Sequence, residues 1–420
     1  MQILKIKNQN TKQVVVLGAG FAGLRAALVL AKKLNNDRIV LVDHRSYHTF
    51  HADLYEVATA VRVKANALTL KRTVAIPIAD IVSRRKKITF KQAWVANIDL
   101  DRKIVRTDGG DLIYDALVVA LGSVVDYYDI SGLTEHGLPL KTFDDAVRVR
   151  NHIEKALAEY ARTRDESFLN FIIGGGGFTG VELAGELMRY IQHLLERAKG
   201  PRPAATVWLI EGANQLLPGF PAEIAKKIQT RLESLGVKIK LNCRLSAALA
   251  DGAVINHEWF LPSRTIVWTG GVRSCQVPFL KNIATDKKNR VVVSSRLNLE
   301  NYPEVFVAGD DACWLDRASG QPEPQTAQVA LHQAEYVAAA IVSFLKGRTP
   351  SPYRPIKNPP FIIPLSGKYA ALVWHNRVWM GWSAYLLRRM ATLRYLLSVL
   401  PPMAALTFWF KGSLVFIEND

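Results

Sequence analysis

Two glycine-rich segments constrain the fold of this chain more than any other feature of its sequence. Each has the form Gly-x-Gly-x-x-Gly, and they span residues 18–23 and 175–180. Each follows an apolar run that predicts a buried parallel strand, and each precedes a run with the spacing of a helix. A strand, a glycine-rich turn and a helix in this order predict a dinucleotide-binding βαβ unit. We therefore expect an α/β fold with two Rossmann-like units.

The first segment has the residue types that contact with a pyrophosphate requires. Its first glycine permits a tight turn, its second lets the backbone approach the phosphates, and its third lets the helix pack closely on the strand. The helix N-terminus adds free N–H groups and a positive dipole end. An acid twenty residues further on can accept hydrogen bonds from ribose hydroxyls. The candidate cofactor-binding residues are Gly18, Gly20, Phe21, Ala22, Gly23 and Asp43.

The second segment repeats this pattern, with Glu211 as the acid at the end of the following strand. A carboxylate that binds the ribose 2′-OH repels a 2′-phosphate, which predicts NADH rather than NADPH. The alternative is that Glu211 is a solvated loop carboxylate. The candidate residues are Gly175, Gly177, Phe178, Thr179, Gly180 and Glu211. Two dinucleotides on one chain predict electron transfer between a mobile nicotinamide and a resident flavin.

The charge balance of the chain is strongly positive. There are 54 Lys and Arg residues against 37 Asp and Glu residues, a formal net charge of +17. Such a surface attracts polyanions, either nucleic acid or an anionic membrane. Because the sequence contains no nucleic-acid-binding motif, we expect no nucleic-acid partner and assign the positive charge to anionic lipid.

The cysteines argue against a disulfide framework, a structural zinc site and a dithiol redox centre. Cys243, Cys275 and Cys313 are far apart, and none belongs to a Cys-x-x-Cys pair. This usage is typical of a reducing compartment, and we predict no metal site. We also expect no signal peptide and no transmembrane helix, since no run reaches the roughly 18–20 apolar residues that a spanning helix needs.

Beyond these patterns, the chain resembles the type II NADH:quinone oxidoreductases, which are non-proton-pumping NADH dehydrogenases with two dinucleotide-binding domains. The segments that carry the resemblance are VLGAGFAGL (16–24), LVDHRSYHTFHADLYEVATA (41–60), DALVVALGS (115–123), EHGLPLKTF (135–143), GGGGFTGVELAGEL (174–187), IVWTGGV (266–272) and VFVAGDD (305–311). The resemblance implies that the second Rossmann-like domain is inserted in the first and that a C-terminal amphipathic helical region anchors the protein to a membrane. We predict an FAD-binding domain at 11–140 and 286–350, an NADH-binding domain at 141–285, and the anchoring region at 351–420.

The resemblance also implies roles for residues outside the two glycine-rich segments. FAD would additionally contact Gly122, Gly309, Asp310 and Ala327, and NADH would contact Gly271. Glu182 matches a glutamate that the family places near the nicotinamide and the flavin. The alternative is a surface carboxylate in the first turn of a helix, stabilised by the helix dipole.

Residues 325–330 match the first part of the family's Ala-Gln-x-Ala-x-Gln signature, which lies beside the flavin and the quinone. Gln328 could hydrogen-bond a quinone carbonyl. The position of the last Gln holds His332, and Gln333 comes one residue late, which is a rotation of about 100° around a helix. Either His332 supplies a proton to the quinone or it is a helix histidine without chemistry. The predicted catalytic residues are therefore Glu182, Gln328 and His332.

The C-terminal segment is apolar and basic. Residues 351–417 contain no Asp or Glu, eight Lys or Arg, and four tryptophans. Leu386, Met390, Leu393, Leu397 and Leu400 recur at helical spacing and predict an apolar stripe. Arg388 lies away from this stripe, whereas Arg389 and Arg394 border it and could extend their charged ends to the interface. Pro401 and Pro402 should end this helix before a second apolar segment.

A helix pair of this composition predicts a peripheral position on the cytoplasmic face of the cell membrane. The alternative is a dimerisation or core-covering pair, and a homodimer stays open.

Together these patterns predict that NADH reduces bound FAD and that the electrons pass to a membrane quinone without proton pumping. Two alternatives share the scaffold: a sulfide:quinone oxidoreductase, which needs paired cysteines at the flavin, and a soluble NAD(P)H-dependent flavoprotein reductase with a protein acceptor. A flavin-binding redox sensor with negligible turnover is a third.

Overall fold

The structure, a computed structural model, describes residues 11–61, 66–197, 203–316 and 319–416. These residues form two compact units. The first unit lies within Met1–His48, Ile76–Val124 and Val272–Pro359, and the second within Thr49–Ala75, Val125–Gly271 and Pro360–Asp420. The sequence predicted changes of domain at 140, 285 and 350, and it did not predict that Thr49–Ala75 belongs with the second unit. Short strands lie at the changeovers, at Tyr47–Thr49, Ala75–Pro77, Ser123–Val125 and Val272–Ser274.

The first unit is built on a six-stranded sheet. In spatial order its strands are Asn298–Leu299, Tyr302–Val307, Ala116–Val119, Gln13–Leu17, Arg38–Asp43 and Ile88–Gln92. Every pairing is parallel except the one made by the edge strand Asn298–Leu299. The predicted βαβ start is therefore present, because Gln13–Leu17 pairs with Arg38–Asp43 through the helix Phe21–Lys33.

The remaining elements of the first unit cover this sheet. The helix Phe21–Lys33 packs against the helix Ala327–Leu345, and Arg25 forms an ion pair with Glu335 between them. Smaller elements are the helix Ile78–Val82, the 3₁₀ turn Gly309–Asp311, the antiparallel strands Val95–Asp99, Ile104–Thr107 and Leu112–Ile113, and the strand pair Val291–Val292 and Ala312–Cys313.

The second unit has its own five-stranded parallel sheet. In spatial order its strands are Gly137–Pro139, Thr265–Trp268, Asn170–Gly174, Thr206–Ile210 and Lys238–Lys240. The antiparallel strands Leu245–Leu249, Gly252–Ile255 and Trp259–Pro262 pack against it. The helices are Leu54–Ala58, Ala67–Val74, Leu133–His136, Phe143–Thr163, Phe178–Arg197 and Ala222–Ser234, with 3₁₀ turns at His51–Asp53 and Glu166–Leu169.

The C-terminal segment belongs to the second unit from Pro360 onward, whereas residues 351–359 belong to the first. It forms the antiparallel strands Phe361–Pro364, Ala370–Trp374 and Arg377–Gly381, followed by the helices Trp382–Val399 and Pro402–Phe416. The predicted break at the proline pair is confirmed, and Pro402 takes the first helical position, where its missing N–H costs nothing. Within the described residues, no helix is long and apolar enough to cross a bilayer.

One prediction about this segment is wrong. Arg389 does not extend to the interface: it is buried, donates a hydrogen bond to Ser413 Oγ and lies 5.4 Å from the ring of Trp409. Of the residues in the apolar stripe, Leu386, Met390 and Leu397 are exposed, whereas Leu400 is buried. The reason is that the two helices pack on each other and bury the residues that face the contact.

Candidate dinucleotide and redox site

The two outer glycines of the first loop are required by packing. Gly18 has φ +93°, and a Cβ on it would lie 2.0 Å from the Ala120 carbonyl oxygen. A Cβ on Gly23 would lie 1.9 Å from the carbonyl oxygen of Gly18. A Cβ on Gly20, by contrast, would meet no atom within 4 Å. The middle glycine therefore borders open space at the N-terminus of the helix, which is where a pyrophosphate fits.

The second loop repeats this geometry. A Cβ on Gly175 would lie 2.5 Å from Gly270 Cα, and one on Gly180 would lie 1.9 Å from the carbonyl oxygen of Gly175. A Cβ on Gly177 would again meet no atom within 4 Å. Phe178 packs edge-on against Phe220, 5.5 Å away, so its ring contributes to the core beneath the loop. Both loops are open at their middle glycine, beside the N-terminus of a helix, as binding of a dinucleotide phosphate requires.

Each loop is closed by the acid that the sequence identified. Asp43 accepts hydrogen bonds from the backbone N–H groups of Ala19 at 2.7 Å and Arg45 at 2.8 Å. Glu211 accepts from those of Gly176 at 2.6 Å and Ala213 at 2.7 Å. A carboxylate has about four acceptor positions, so each acid keeps capacity for ribose hydroxyls while it holds its own loop.

The residues around Gly309 come together with the first loop. Gly309 has φ +74°, and a Cβ on it would lie 3.0 Å from the Ala22 methyl group. The next residue, Asp310, accepts a hydrogen bond from the Ser123 hydroxyl, one residue after Gly122. The structure thus brings Gly122, Gly309 and Asp310 to the first glycine-rich loop, as the predicted flavin site requires. In the second unit, Gly271 packs against Tyr128.

Asp311 was not among the predicted residues, although it follows Asp310 directly. Its side chain is fully buried and accepts hydrogen bonds from the Gly122 N–H at 2.8 Å and the Ser274 hydroxyl at 2.6 Å. Burial raises the pKa of Asp311 to about 7, although these hydrogen bonds oppose the shift. Asp311 therefore fixes the turn at Gly122 from inside the unit.

The start of the helix Ala327–Leu345 is tied to the same turn. Thr326 caps the helix through the Val329 N–H, which places Ala327 and Gln328 as its first two residues. Gln325 donates from Nε2 to the Asp310 carbonyl oxygen at 3.0 Å. The N-terminus of this helix is therefore held beside Gly309 and Asp310.

Gln333 and His332 have different surroundings. Gln333 is buried, and its Oε1 accepts from the Gly309 N–H at 2.8 Å. His332 places Nε2 2.9 Å from the Arg354 carbonyl oxygen and packs near the ring of Tyr353. Gln333 thus holds the Gly309 turn, a role that the sequence did not predict, while a quinone-directed role for His332 stays a prediction.

Glu182 lies in a cluster of buried charges within the second unit. Arg388 forms an ion pair with Asp53 at 2.8 Å, donates to the Ala52 carbonyl oxygen at 2.8 Å, and lies 5.6 Å from the ring of Tyr55. Glu56, whose side chain is buried, accepts from the Tyr55 hydroxyl at 3.1 Å. The cluster therefore contains three carboxyl groups, those of Asp53, Glu56 and Glu182, and the single guanidinium of Arg388.

This environment favours the protonated form of Glu182. Burial of the carboxyl raises the pKa of Glu182 to about 8; Arg388 opposes the rise, whereas Asp53 and Glu56 add to it. The residue keeps part of its surface accessible, so it can exchange its proton. Of the three predicted catalytic residues, Glu182 belongs to the second unit and Gln328 and His332 to the first.

His48 is a further residue whose role in the site the sequence analysis did not assign. Its Nδ1 lies 2.8 Å from the Ala19 carbonyl oxygen, and its ring packs edge-on against Phe21 at 5.1 Å. Burial lowers the pKa of His48 to about 4, so the ring is neutral at pH 7. The only sequence signal was its place in the 41–60 segment; Asp53 and Arg388, far apart in the chain, gave no sequence signal for their pairing.

Comparison with known proteins agrees with this geometry. Residues 12–334 match the family model of the pyridine nucleotide-disulphide oxidoreductases. The chain is 31% identical over 347 residues to a type II NADH:quinone oxidoreductase of Staphylococcus saprophyticus. The aligned residues are 81% of this chain and 84% of that protein. It is 32% identical over 348 residues to the enzyme of the same name from Staphylococcus aureus, with the same coverage.

Solved structures share the fold at low sequence identity. NDH2 from Plasmodium falciparum, in complex with NADH, has a TM-score of 0.82 at 16% identity and covers 97% of this chain and 98% of its own. The sulfide:quinone oxidoreductase of Aquifex aeolicus has a TM-score of 0.74 at 19% identity, covering 92% and 90%. The predicted α/β fold is therefore confirmed. Since the family model covers most of the chain and the staphylococcal relatives match along most of their length, the chain belongs to the type II NADH:quinone oxidoreductases.

Proposed function

We propose that this protein oxidises NADH and passes two electrons through bound FAD to a quinone, without proton pumping. The observation that carries the proposal is the presence of two equivalent dinucleotide sites on one chain, each with an open middle glycine and an acid held at the strand end. The residues that would hold FAD are Gly18, Gly20, Phe21, Ala22, Gly23, Asp43, Gly122, Gly309, Asp310 and Ala327. Those that would hold NADH are Gly175, Gly177, Phe178, Thr179, Gly180, Glu211 and Gly271.

Bound FAD supplies the two-electron chemistry that links a hydride donor to a quinone. The residues of the chain would bind and orient the two coenzymes and neutralise their charge. Asp43 and Glu211 would accept from ribose hydroxyls, and the two helix N-termini would stabilise the phosphates. The start of the helix at Ala327, tied to Asp310 through Gln325, would present N–H donors to developing negative charge. Gln328 could donate to a quinone carbonyl, and His332 to a quinone oxygen.

Glu182 would serve as a proton donor in the quinone reaction. Reduction of a quinone to a quinol takes up two protons, and a carboxyl with a pKa of about 8 holds its proton at neutral pH. A general acid is most effective when its pKa lies near the working pH. Arg388 and Asp53 would keep this pKa within reach by balancing charge around it.

The cysteines give the sulfide-oxidising alternative no support. All three thiols are free, and Cys275 lies 3.9 Å from the Asp311 carboxylate. Burial, followed by the nearby Asp311 charge, raises the pKa of Cys275 to about 12. A thiol of this kind stays protonated at neutral pH, whereas the nucleophilic form of cysteine is the thiolate.

We propose that the C-terminal segment docks the protein peripherally on the cytoplasmic face of the cell membrane. Its exposed side chains include Trp374, Trp379, Trp382, Leu386, Leu387, Met390, Leu397, Met403, Phe410 and Leu414. Trp379 is 71% exposed and Met403 is 76% exposed. Large apolar side chains rarely cluster at the surface of a protein that stays in water. Six of the eight cations of this segment are exposed, Arg388 and Arg389 being buried, and these six cations together with the absence of acids favour an anionic lipid surface.

Replacing Trp379, Trp382, Met390 and Met403 together with serine is expected to release the protein from anionic vesicles. These side chains are exposed, so the fold should keep its flavin. The measurement is co-sedimentation with vesicles of anionic phospholipid, beside flavin content. A matched control replaces the exposed Leu68, Leu249, Leu280 and Leu315, which lie outside the segment. Equal sedimentation of the fourfold variant and the wild type would contradict the docking proposal.

The coenzyme preference tests the second dinucleotide site. Replacing Glu211 with glutamine and the exposed Asn214 with arginine is expected to raise the NADPH to NADH ratio of kcat/KM by about tenfold or more. The change removes the carboxylate that would repel a 2′-phosphate and adds a cation. Glu233→Gln, in an exposed helix end, is the control and should leave the ratio unchanged. An unchanged ratio in the double variant would remove Glu211 from coenzyme discrimination.

Anaerobic stopped-flow absorbance tests the proposed function directly. The purified protein is mixed with NADH and then with a short-chain quinone. We expect NADH to bleach the flavin absorbance and the quinone to restore it rapidly. Bleaching without recovery would overturn the quinone as acceptor, and an absence of flavin absorbance would overturn the proposal as a whole.

A further inference from the structure

The two dinucleotide sites are alike beyond their glycines and acids. In each site, a residue just after the next strand of the sheet donates a backbone hydrogen bond to the carbonyl oxygen of the acid. Ala93 donates to Asp43 at 2.9 Å, and Cys243 donates to Glu211 at 2.9 Å. The next residue in each site is therefore in an equivalent position, and these residues are Trp94 and Arg244.

The backbones of Trp94 and Arg244 are held in the same way. The Trp94 N–H donates to the Asp108 side chain at 2.9 Å, and the Asp108 N–H donates back to the Trp94 carbonyl at 3.2 Å. The Arg244 N–H donates to the Asn256 side chain at 2.7 Å, and the Asn256 N–H donates back to the Arg244 carbonyl at 2.8 Å. This reciprocal pair in both units shows that the two positions are structural equivalents.

The two side chains also contact equivalent neighbours. The Trp94 ring stacks on His44, the residue after Asp43, with ring centroids 4.1 Å apart and planes 23° apart. The stem of Arg244 lies across Gly212, the residue after Glu211, where an added Cβ would be 3.0 Å from Arg244 Cγ. In each site, the side chain of residue 94 or 244 thus lies against the residue that follows the proposed ribose-binding acid.

Adenine is the group that lies next to this ribose in a dinucleotide. Trp94 is 63% exposed although its backbone is fixed, so a large aromatic face is presented to solvent beside Asp43. Arg244 is exposed, and its side chain lies against Gly212, the residue after Glu211. Aromatic rings and guanidinium planes are the two protein groups that stack best on a nucleobase.

We infer that Trp94 stacks against the adenine of FAD and Arg244 against the adenine of NADH. The inference rests on the proposed function. The stacking of Trp94 on adenine should contribute more binding free energy than the contact of the exposed Arg244 guanidinium with adenine. Trp94 with His44 therefore helps to retain the flavin, while Arg244 beside the small Gly212 leaves the nicotinamide coenzyme exchangeable.

The test compares each coenzyme with the mononucleotide that remains when its AMP half is removed. Trp94→Ala should raise the dissociation constant of FAD for the flavin-depleted protein about tenfold or more, measured by flavin fluorescence. The dissociation constant of FMN should stay within twofold, and Trp94→Phe should restore FAD binding. Arg244→Ala should raise KM for NADH about threefold or more while kcat/KM for reduced nicotinamide mononucleotide is unchanged.

Each variant is the control for the other, since Trp94→Ala should not change KM for NADH and Arg244→Ala should not change flavin content. Wild-type affinity of Trp94→Ala for FAD, or equal losses for FAD and FMN, would overturn the flavin part. Equal losses of Arg244→Ala for NADH and the mononucleotide, or a loss for NADPH alone, would overturn the NADH part. A wild-type protein that binds no FAD would overturn the proposed function itself.

Discussion

Replacing Arg388 with leucine is expected to lower the free energy of unfolding by about 3–5 kcal/mol, because it removes one partner of a buried ion pair. Arg388 and Asp53 are both buried, and their contact is 2.8 Å. Without the guanidinium, Asp53 would be left as a buried charge among Glu56 and Glu182. The loss should appear in chemical denaturation of the flavin-loaded protein, followed by circular dichroism.

Arg394 provides the matched control on the same helix. It is exposed, so Arg394→Leu should change the free energy of unfolding by no more than about 0.5 kcal/mol. Replacing Asp53 with leucine in the Arg388→Leu background should restore part of the stability, since an apolar pair can substitute for a buried ion pair. Similar stabilities for Arg388→Leu and Arg394→Leu would show that the pair does not hold the C-terminal segment to the second unit.

The parts of the site that the sequence predicted are those encoded locally. A glycine-rich loop, its strand and its helix occupy consecutive residues, and the acid is one strand further on, so Gly18–Gly23 and Asp43 are recognisable without a fold. The comparisons confirm the family, the enzyme class and the cofactors that followed from them. The helix break before Pro402 was predictable for the same reason, since proline cannot continue a helix.

The parts that escaped prediction depend on contacts between distant segments. Arg388 meets Asp53 across more than three hundred residues, so an acid-free tail gave no sign that one of its cations neutralises a buried carboxylate. Gln333 looked like a misplaced signature residue, and its contact with the Gly309 N–H becomes visible only once the helix is placed. Thr49–Ala75 belongs to the second unit because this segment packs into the core of that unit. The local pattern of apolar residues cannot predict which core a segment joins.

The second large effect is expected for Glu182→Gln, which should slow the reoxidation of the flavin by quinone about a hundredfold, the lower end of what general acid catalysis contributes. Reduction by NADH should change by only a few fold. Since burial raises the pKa of Glu182 to about 8, the wild-type carboxyl is protonated below that pH and loses its proton as the pH rises through it. The quinone half-reaction should therefore slow above pH 8 in the wild type. In Glu182→Gln it should be slow throughout and lack this step.

Glu196→Gln is the control, because Glu196 lies exposed near the end of the same helix and should leave both half-reactions and the pH profile unchanged. The profile also separates chemistry from packing. If Glu182→Gln only loosened the packing, both half-reactions would slow. The step near pH 8 would also remain, because a group other than Glu182 would then be the one that titrates. Arg388→Leu sharpens the distinction, since removing the cation should raise the pKa of Glu182 further and move the step to higher pH. A Glu182→Gln variant that keeps the wild-type step would show that another group donates the proton.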